Sequence, residues 1–282
     1  MYYHENQVAY PWPIYDPDKK LERDFHYYYI NQTSALASNW SLFNSYYNKK
    51  SFLDGINEYL QKMPDNQNMN TIKQIDNKSS ILHLGCDLKK FDKYKINSRN
   101  KIPNILWNHR WEYDKNPQLF FDSLLKIKKS NLKFNLIVLG QQFSTYPEIF
   151  DMAKKELSNE IIHWGYCDSF EEYSLWLWNS DIIPVTSKQD FFGISIVEAV
   201  YCNTKPILPN KLAYPEIFDM TKNKNLFYNS DSDFYNQLHD EILNFNGDNS
   251  FLNEIDKFDW RNMIKQYDNT FTMLKEKFSD KS

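Results

Sequence analysis

Two carboxylates, Asp190 and Glu198, stand with seven residues between them in the stretch QDFFGISIVEAV (189–200). A carboxylate presents two oxygens, and each can accept a hydrogen bond from one of two vicinal hydroxyls. Gly193 lies between the acids and permits a close backbone approach. The amides of Gly193 to Ile196 then open onto a helix start, where free N–H groups face phosphate or sugar oxygens. A second group of residues, NHRWEYDKNP (108–117), places Arg110 and Lys115 with four residues between them. Two cations beside a helix N-terminus make an anion site, and His109 flanks it. Plainer readings stand beside these. Asp190 can be a turn residue and Glu198 a helix-surface acid, and Arg110 and Lys115 can be solvated surface cations. His163 and Trp164, at the end of another apolar run, read as core or rim residues or as part of a site.

The elements that must position these groups follow from pattern. DIIPVTS (181–187) is a buried strand, DFFG a tight loop, and ISIVEAVYC a helix that carries Glu198. The rhythm around it is regular. NILWNH (104–109), FNLIVLG (134–140), IIHWGYC (161–167), KPILPN (205–210) and NLFYN (225–229) read as strands. Helices alternate with them at 117–131, 145–157, 169–180 and 231–245, with Pro117 in a first turn and a Ser169–Glu172 capping box. Short alternation of this kind predicts a doubly wound parallel α/β sheet. Upstream, 24–38 is helix-compatible, 39–45 a strand, and Tyr47 to Met63 a helix. Residues 63–80 read as a polar loop, and 81–91 as a strand that ends at Gly85. The charged segment 92–103 lacks apolar period and marks a boundary, which gives domains at 1–100 and 101–257 and a final amphipathic helix in 258–282.

Composition excludes several classes. The chain of 282 residues has 41% hydrophobic and 17% aromatic content, enough for real cores, and a net charge of −4, which opposes a generally basic nucleic-acid binder. Lysines gather in KKFDKYKINSRNK (89–101), either a patch for RNA phosphates or a solvated linker. Cys86, Cys167 and Cys202 form no CxxC pair, so a disulfide frame or zinc knuckle is not expected and a reducing, cytoplasmic setting fits. No signal peptide or membrane span is expected. There is no Ser-His-Asp arrangement, HExxH, Walker loop or GxGxxG, and no His and carboxylate spacing that implies a metal. Residues 1–16, MYYHENQVAYPWPIYD, are rich in His, Glu, Asn and Tyr and read as a piece of a site or as an exposed arm.

These strings resemble a family. ILHLGCDLKKF, the Arg110–Lys115 loop, Gly165 after its strand, and the Asp190–Glu198 pair are similar to GT-B glycosyltransferases of the large retaining family four. More narrowly, ILWNHRWEYDKNPQLFFDSLLKI, HWGYC, DFFGISIVEAVYC, LPNKLAYPEIF and YYHENQVAYP look like the tRNA-queuosine α-mannosyltransferase family, over nearly the whole chain. The resemblance implies a GT-B fold: a Rossmann-like C-terminal domain and an N-terminal Rossmann-like domain that is incomplete here. It implies GDP-mannose as donor, queuosine in the tRNA(Asp) anticodon as acceptor, transfer with retention, and neither cofactor nor metal. Arg110 and Lys115 would neutralise the diphosphate. Glu198 would bind the donor ribose, and Asp190 with the Phe192–Gly193–Ile194 backbone would hold the mannose. His4, with Glu5 and Asn6, would serve the acceptor side. Three departures stand out: Asp190 where Glu is usual, Asn203 where Gly is usual, and the absence of the front half of the N-terminal domain. The last leaves three expectations open, a truncated reading frame, a fragment that needs a complementing N-terminal half, or an inactive chain, and two alternative functions stand beside the first: a GT-B glycosyltransferase with a glycan or lipid acceptor, or a truncated non-catalytic donor-binding module.

Overall fold

A computed structural model describes residues 1–11, 26–96, 100–247 and 254–279. It resolves into two compact units, Met1–Cys86 with Trp260–Ser282, and Asp87–Asp259. The division falls at Cys86/Asp87, so the charged segment placed at a boundary by its composition belongs to the second unit. The helix expected in 258–282 belongs to the first.

Among the described residues the first unit holds three short strands, β1 (Tyr2–Tyr3), β2 (Ser41–Phe43) and β3 (Ser79–Ile81), in the order β1-β2-β3 and all parallel. Its helices are α1 (His26–Ala37), α2 (Tyr46–Gln61) and α3 (Asn70–Asn77). Ser45 caps α2 by accepting the Asn48 amide. Two sequence expectations fail here. The polar segment 63–80 contains α3 and most of β3, because Ile75 alone supplies its fully buried anchor and the tertiary core does the rest. The strand expected to run from Ile81 to Gly85 ends at Ile81 instead. Phe43, Phe52, Ile56, Ile75 and Tyr3 form the core, with the Tyr3 ring stacked 4.8 Å from Phe43.

Gly85, expected at a ligand loop, has a packing role. A Cβ there would lie 1.9 Å from Cε3 of Trp260, the first residue of the terminal helix Trp260–Ser279. That helix is held to the unit by Trp260 N donating to Cys86 O at 2.8 Å and Tyr267 Oη donating to His83 O at 2.9 Å.

The second unit carries β4 (Asn104–Asn108), α4 (Pro117–Lys129), β5 (Asn135–Leu139), α5 (Ile149–Glu156), β6 (Ile161–Trp164), α6 (Phe170–Trp178), β7 (Ile182–Pro184), α7 (Ile194–Tyr201), β8 (Lys205–Pro209), α8 (Tyr214–Ile217), β9 (Phe227–Tyr228) and α9 (Asp231–Leu243). All six strands are parallel, in the order β6-β5-β4-β7-β8-β9. This is the doubly wound sheet that the alternation predicts. Its direction of winding reverses between β4 and β7, and such a switch leaves a crevice at the carboxyl ends of those two strands.

One face is an apolar core of α4, α5 and α9 against the strands, dense in Trp107, Phe120, Phe121, Phe150 and Phe234. Trp111 lies stacked on Phe150 at 4.4 Å. Each buried indole N–H finds a carbonyl: Trp107 Nε1 donates to His109 O at 3.0 Å and Trp111 Nε1 to Leu139 O at 3.2 Å. Among the described residues, no helix is long and apolar enough to cross a membrane. The three cysteines are buried, and none is in a disulfide.

Candidate functional site

The loop after β4 and the loop after β7 are tied together. Lys188 N donates to Asp114 O at 2.7 Å, and Thr186 Oγ1 donates to Lys115 O at 2.8 Å. The result brings Lys115 and Asp190 to one place, although 74 residues separate Lys115 from its acceptor Gln189 O, 2.9 Å away. The Lys115 ammonium is 3.1 Å from the buried Asp114 carboxylate and 3.7 Å from that of Asp190, with only 11% of its side chain exposed. A single cation between two carboxylates, largely shielded from water, is a strongly oriented point charge.

Asp190 is fixed from three sides. Its Oδ2 accepts from Tyr214 Oη at 3.0 Å, its Oδ1 from Phe192 N at 3.4 Å, and Lys115 faces it. Burial and the Asp190 charge keep the Tyr214 phenol far above its ordinary range, so it stays a donor. Gly193 is the N-cap of α7, with φ 81°. Its bare Cα also lets Tyr214 through, since a Cβ would lie 2.9 Å from Tyr214 Cε1. The donors expected from Gly193 to Ile196 are reduced, because Ile196 N is spent on Gly193 O at 3.0 Å. The Phe192 amide is likewise engaged by Asp190, and the Phe192 ring is buried, packed 5.2 Å from Phe258. Ile194 opens α7 and is 44% exposed.

Glu198 lies one helical turn further, in a polar chain that sequence reasoning missed. Asn108 Nδ2 donates to Tyr173 Oη at 2.9 Å and to Ser195 O at 3.0 Å, and Tyr173 Oη donates to Glu198 Oε2 at 2.7 Å. Burial raises the Glu198 carboxyl above its usual range, against the opposing pull of the Tyr173 hydrogen bond and the Lys90 charge. Tyr173 orients one oxygen of Glu198. Its sequence signal was a Tyr on the first turns of a well-capped helix, which needs a partner once buried.

Arg110 is half exposed and pairs with Glu112 at 3.0 Å. His109 is buried, and its Nε2 has no hydrogen-bond partner. Burial, then the Lys115 charge, pushes the His109 ring down to about 3, so it is neutral at pH 7. Asn203 takes φ 69°, the left-handed conformation in which Asn substitutes for Gly at small cost.

In the first unit, His4 and Glu5 are exposed. Asn6 is fully buried, and its amide is consumed internally: Nδ2 donates to Asn48 Oδ1 at 2.8 Å, and Oδ1 accepts from Ala9 N at 2.8 Å. Asn48 in turn donates to Tyr3 O at 3.0 Å. Asn6 is thus part of the ladder that holds this loop, and it does not share the surface of His4 and Glu5. Of the segment 1–16, residues 12–16 lie outside the described residues, as do 97–99 of the lysine run.

Comparison with known proteins agrees with this architecture. Residues 1–86 match the family described as tRNA-queuosine alpha-mannosyltransferase N-terminal, and residues 89–256 match glycosyl transferases group 1. The fold is similar to sucrose-phosphate synthase from Thermosynechococcus elongatus, with TM-score 0.67 and 14% identity over 97% of this chain and 67% of that one. It is also similar to a glycosyltransferase from Rickettsia africae, with TM-score 0.59 and 16% identity over 94% of this chain and 68% of that one. Both likenesses bear on the fold, which is GT-B. A tRNA-queuosine alpha-mannosyltransferase from Drosophila melanogaster is 30% identical over 281 residues, 95% of this chain and 72% of that protein. On that identity, and with the group 1 domain spanning the second unit, the chain belongs to the tRNA-queuosine alpha-mannosyltransferase family of hexosyl-transferring enzymes.

Proposed function

We propose that this chain transfers mannose from GDP-mannose to the cyclopentenediol of queuosine in the tRNA(Asp) anticodon, with retention of the anomeric configuration. The observation that carries the reading is the Lys115–Asp190 pair at the β4/β7 switch point, in a chain 30% identical to a queuosine mannosyltransferase. In this reading Lys115, assisted by Arg110, neutralises the diphosphate as the C1–O bond to it breaks. Preorganised charge at that position is worth most where water is scarce. Asp190 and the Gly193 backbone hold the sugar, and Glu198 holds the ribose with one oxygen while Tyr173 occupies the other. The acceptor hydroxyl attacks from the face that the diphosphate leaves, and its proton passes to the departing phosphate oxygen. The step needs neither a protein nucleophile nor a metal. His4 and Glu5 are assigned to the acceptor.

The test is incubation of the chain with GDP-mannose and queuosine-containing tRNA(Asp), followed by mass spectrometry of the digested nucleosides. A product heavier than queuosine by one hexose supports the reading. No product with this pair, alongside transfer from another nucleotide sugar or to a glycan or lipid acceptor, overturns it.

A further inference from the structure

Away from the Lys115–Asp190 cluster, β6 ends in a turn that gathers three chemically unlike donors. β6 is the edge strand of the sheet, separated from β4 by β5. His163 lies on β6, Cys167 in the turn, and Glu172 in the first turn of α6. One ligand atom from each lies within 4.8 Å of the other two. Cys167 Sγ stands 3.9 Å from His163 Nε2 and Glu172 Oε1 stands 4.0 Å from His163 Nδ1, so the two partners face different nitrogens of the ring, of which one ion takes one. Donors around a tetrahedral ion, at about 2.0 Å for nitrogen and 2.3 Å for sulfur, stand roughly 3.5 Å apart. With one imidazole nitrogen taken as the donor, the three ligand atoms lie within 4.8 Å of one another and close by up to about 1.3 Å to meet that geometry.

We propose that His163, Cys167 and Glu172 bind a borderline divalent cation such as Zn2+, which clasps the end of β6 to the start of α6. One imidazole, one thiol and one carboxylate is a mixed N/S/O set suited to Zn2+, with solvent completing the fourth position. The carboxylate is oriented in advance. Glu172 Oε2 accepts from Asp168 N at 3.1 Å, and Ser169 Oγ accepts from Glu172 N at 3.1 Å, so Oε1 is the oxygen left toward His163. Trp176 packs against the imidazole with ring centroids 4.8 Å apart, which restricts its rotation. Outer contacts of this kind raise affinity by fixing ligand orientation.

A nucleophilic thiol is the competing reading of the same three residues, since they also stand in the sequence thiol, imidazole, carboxylate. The surroundings oppose it. The charged neighbours of Cys167 are the carboxylates of Glu172 and Asp168. A nucleophilic cysteine needs the reverse, a nearby positive charge that holds a thiolate. A bound dication supplies that charge, and binding releases the thiol proton to solvent. The site becomes neutral overall, with two anionic ligands and one dication.

The test uses the untagged full chain, stripped of metal and titrated with Zn2+, and separately with Co2+ as a spectroscopic probe. One ion per chain, a thiolate-to-cobalt absorption band, and a higher melting temperature with Zn2+ are expected. Cys167→Ser should abolish the band, and Glu172→Gln, which retains the helix cap, should weaken Zn2+ binding at least about tenfold. Circular dichroism of both variants confirms that each is folded. The proposal is overturned if the chain binds no Zn2+, or if both folded variants bind Zn2+ as the parent does. None of these readouts depends on glycosyl transfer.

Discussion

The Lys115 ammonium lies 3.7 Å from the Asp190 carboxylate, and each side chain is less than one fifth exposed. In the proposed reaction Lys115 meets the diphosphate and Asp190 the sugar, so the pair should act as a unit. Lys115→Ala is expected to lower kcat by ~10²–10³-fold, the usual loss for one preorganised electrostatic contact. Asp190→Asn should also lower kcat/KM. The double variant should fall short of the product of the two losses, because coupled neighbours are not additive. Steady-state kinetics of the four proteins decide this, and simple multiplication of the two effects would remove the coupling.

Glu198 and Tyr173 form the second pair, at 2.7 Å. Glu198→Gln should weaken GDP-mannose binding measured by calorimetry while the fold is kept. Glu198→Ala leaves the Tyr173 hydroxyl buried without its acceptor, at a cost of about 1–3 kcal/mol in a chemical denaturation experiment. Burial raises the Glu198 carboxyl, so its charge is lost at higher pH than that of an ordinary Glu. Donor binding should therefore weaken early on acidification, and Glu198→Gln should lack that dependence. The stability effect has the opposite sign. A raised carboxyl favours the folded state most below its unfolded value, and that contribution is lost as pH rises through the folded one.

His109 predicts the acid side of the stability curve. Its ring is moved from an ordinary 6.5 down to about 3. A depressed group stabilises the fold above its unfolded value, and that contribution is lost as pH falls from about 6.5 toward 3. The slope from this one proton is at most about 1.4 kcal/mol per pH unit. His109→Gln should flatten the curve in that window. An unchanged slope in the variant would show that other groups carry the acid sensitivity.

Gly193→Ala tests the turn. The left-handed φ of 81° costs an L-residue ~1–2 kcal/mol. The added Cβ would also press on Tyr214 at 2.9 Å and disturb its bond to Asp190. Both a lower melting temperature and a lower kcat are expected. A variant that loses stability but keeps full kcat would separate the turn from the Asp190 contact.

Much of the second unit was legible because its signals are local and repeated. Continuous apolar runs such as NLIVL and ILWN, alternating with helical patterns, read as buried parallel strands, and Ser169 and Pro117 mark their helices by chemistry that acts within a turn. In the first unit the signals failed at 63–80. A segment with a single fully buried residue, Ile75, becomes helix and strand only because β2 and the core of Phe43 and Phe52 receive it. Asn6, buried and bonded to Asn48, was not legible for a related reason. A polar side chain looks the same in a sequence whether it faces a substrate or closes a buried ladder with Asn48.

The sequence by itself determined that two acids, two cations and a glycine stand at the ends of parallel strands, and its strings resembled one family closely enough to name it. Tertiary structure alone decided which of them meet. Lys115 reaches Asp190 because β4 and β7, far apart in the chain, are neighbours where the winding of the sheet reverses. Arg110, five residues before Lys115, pairs with Glu112. Tyr173 and Asn108 join Glu198 only when α6, α7 and β4 pack together. Spacing along the chain fixes the direction of a side chain within one element. Which element lies opposite depends on strand order, and that is settled by burial of the whole sheet.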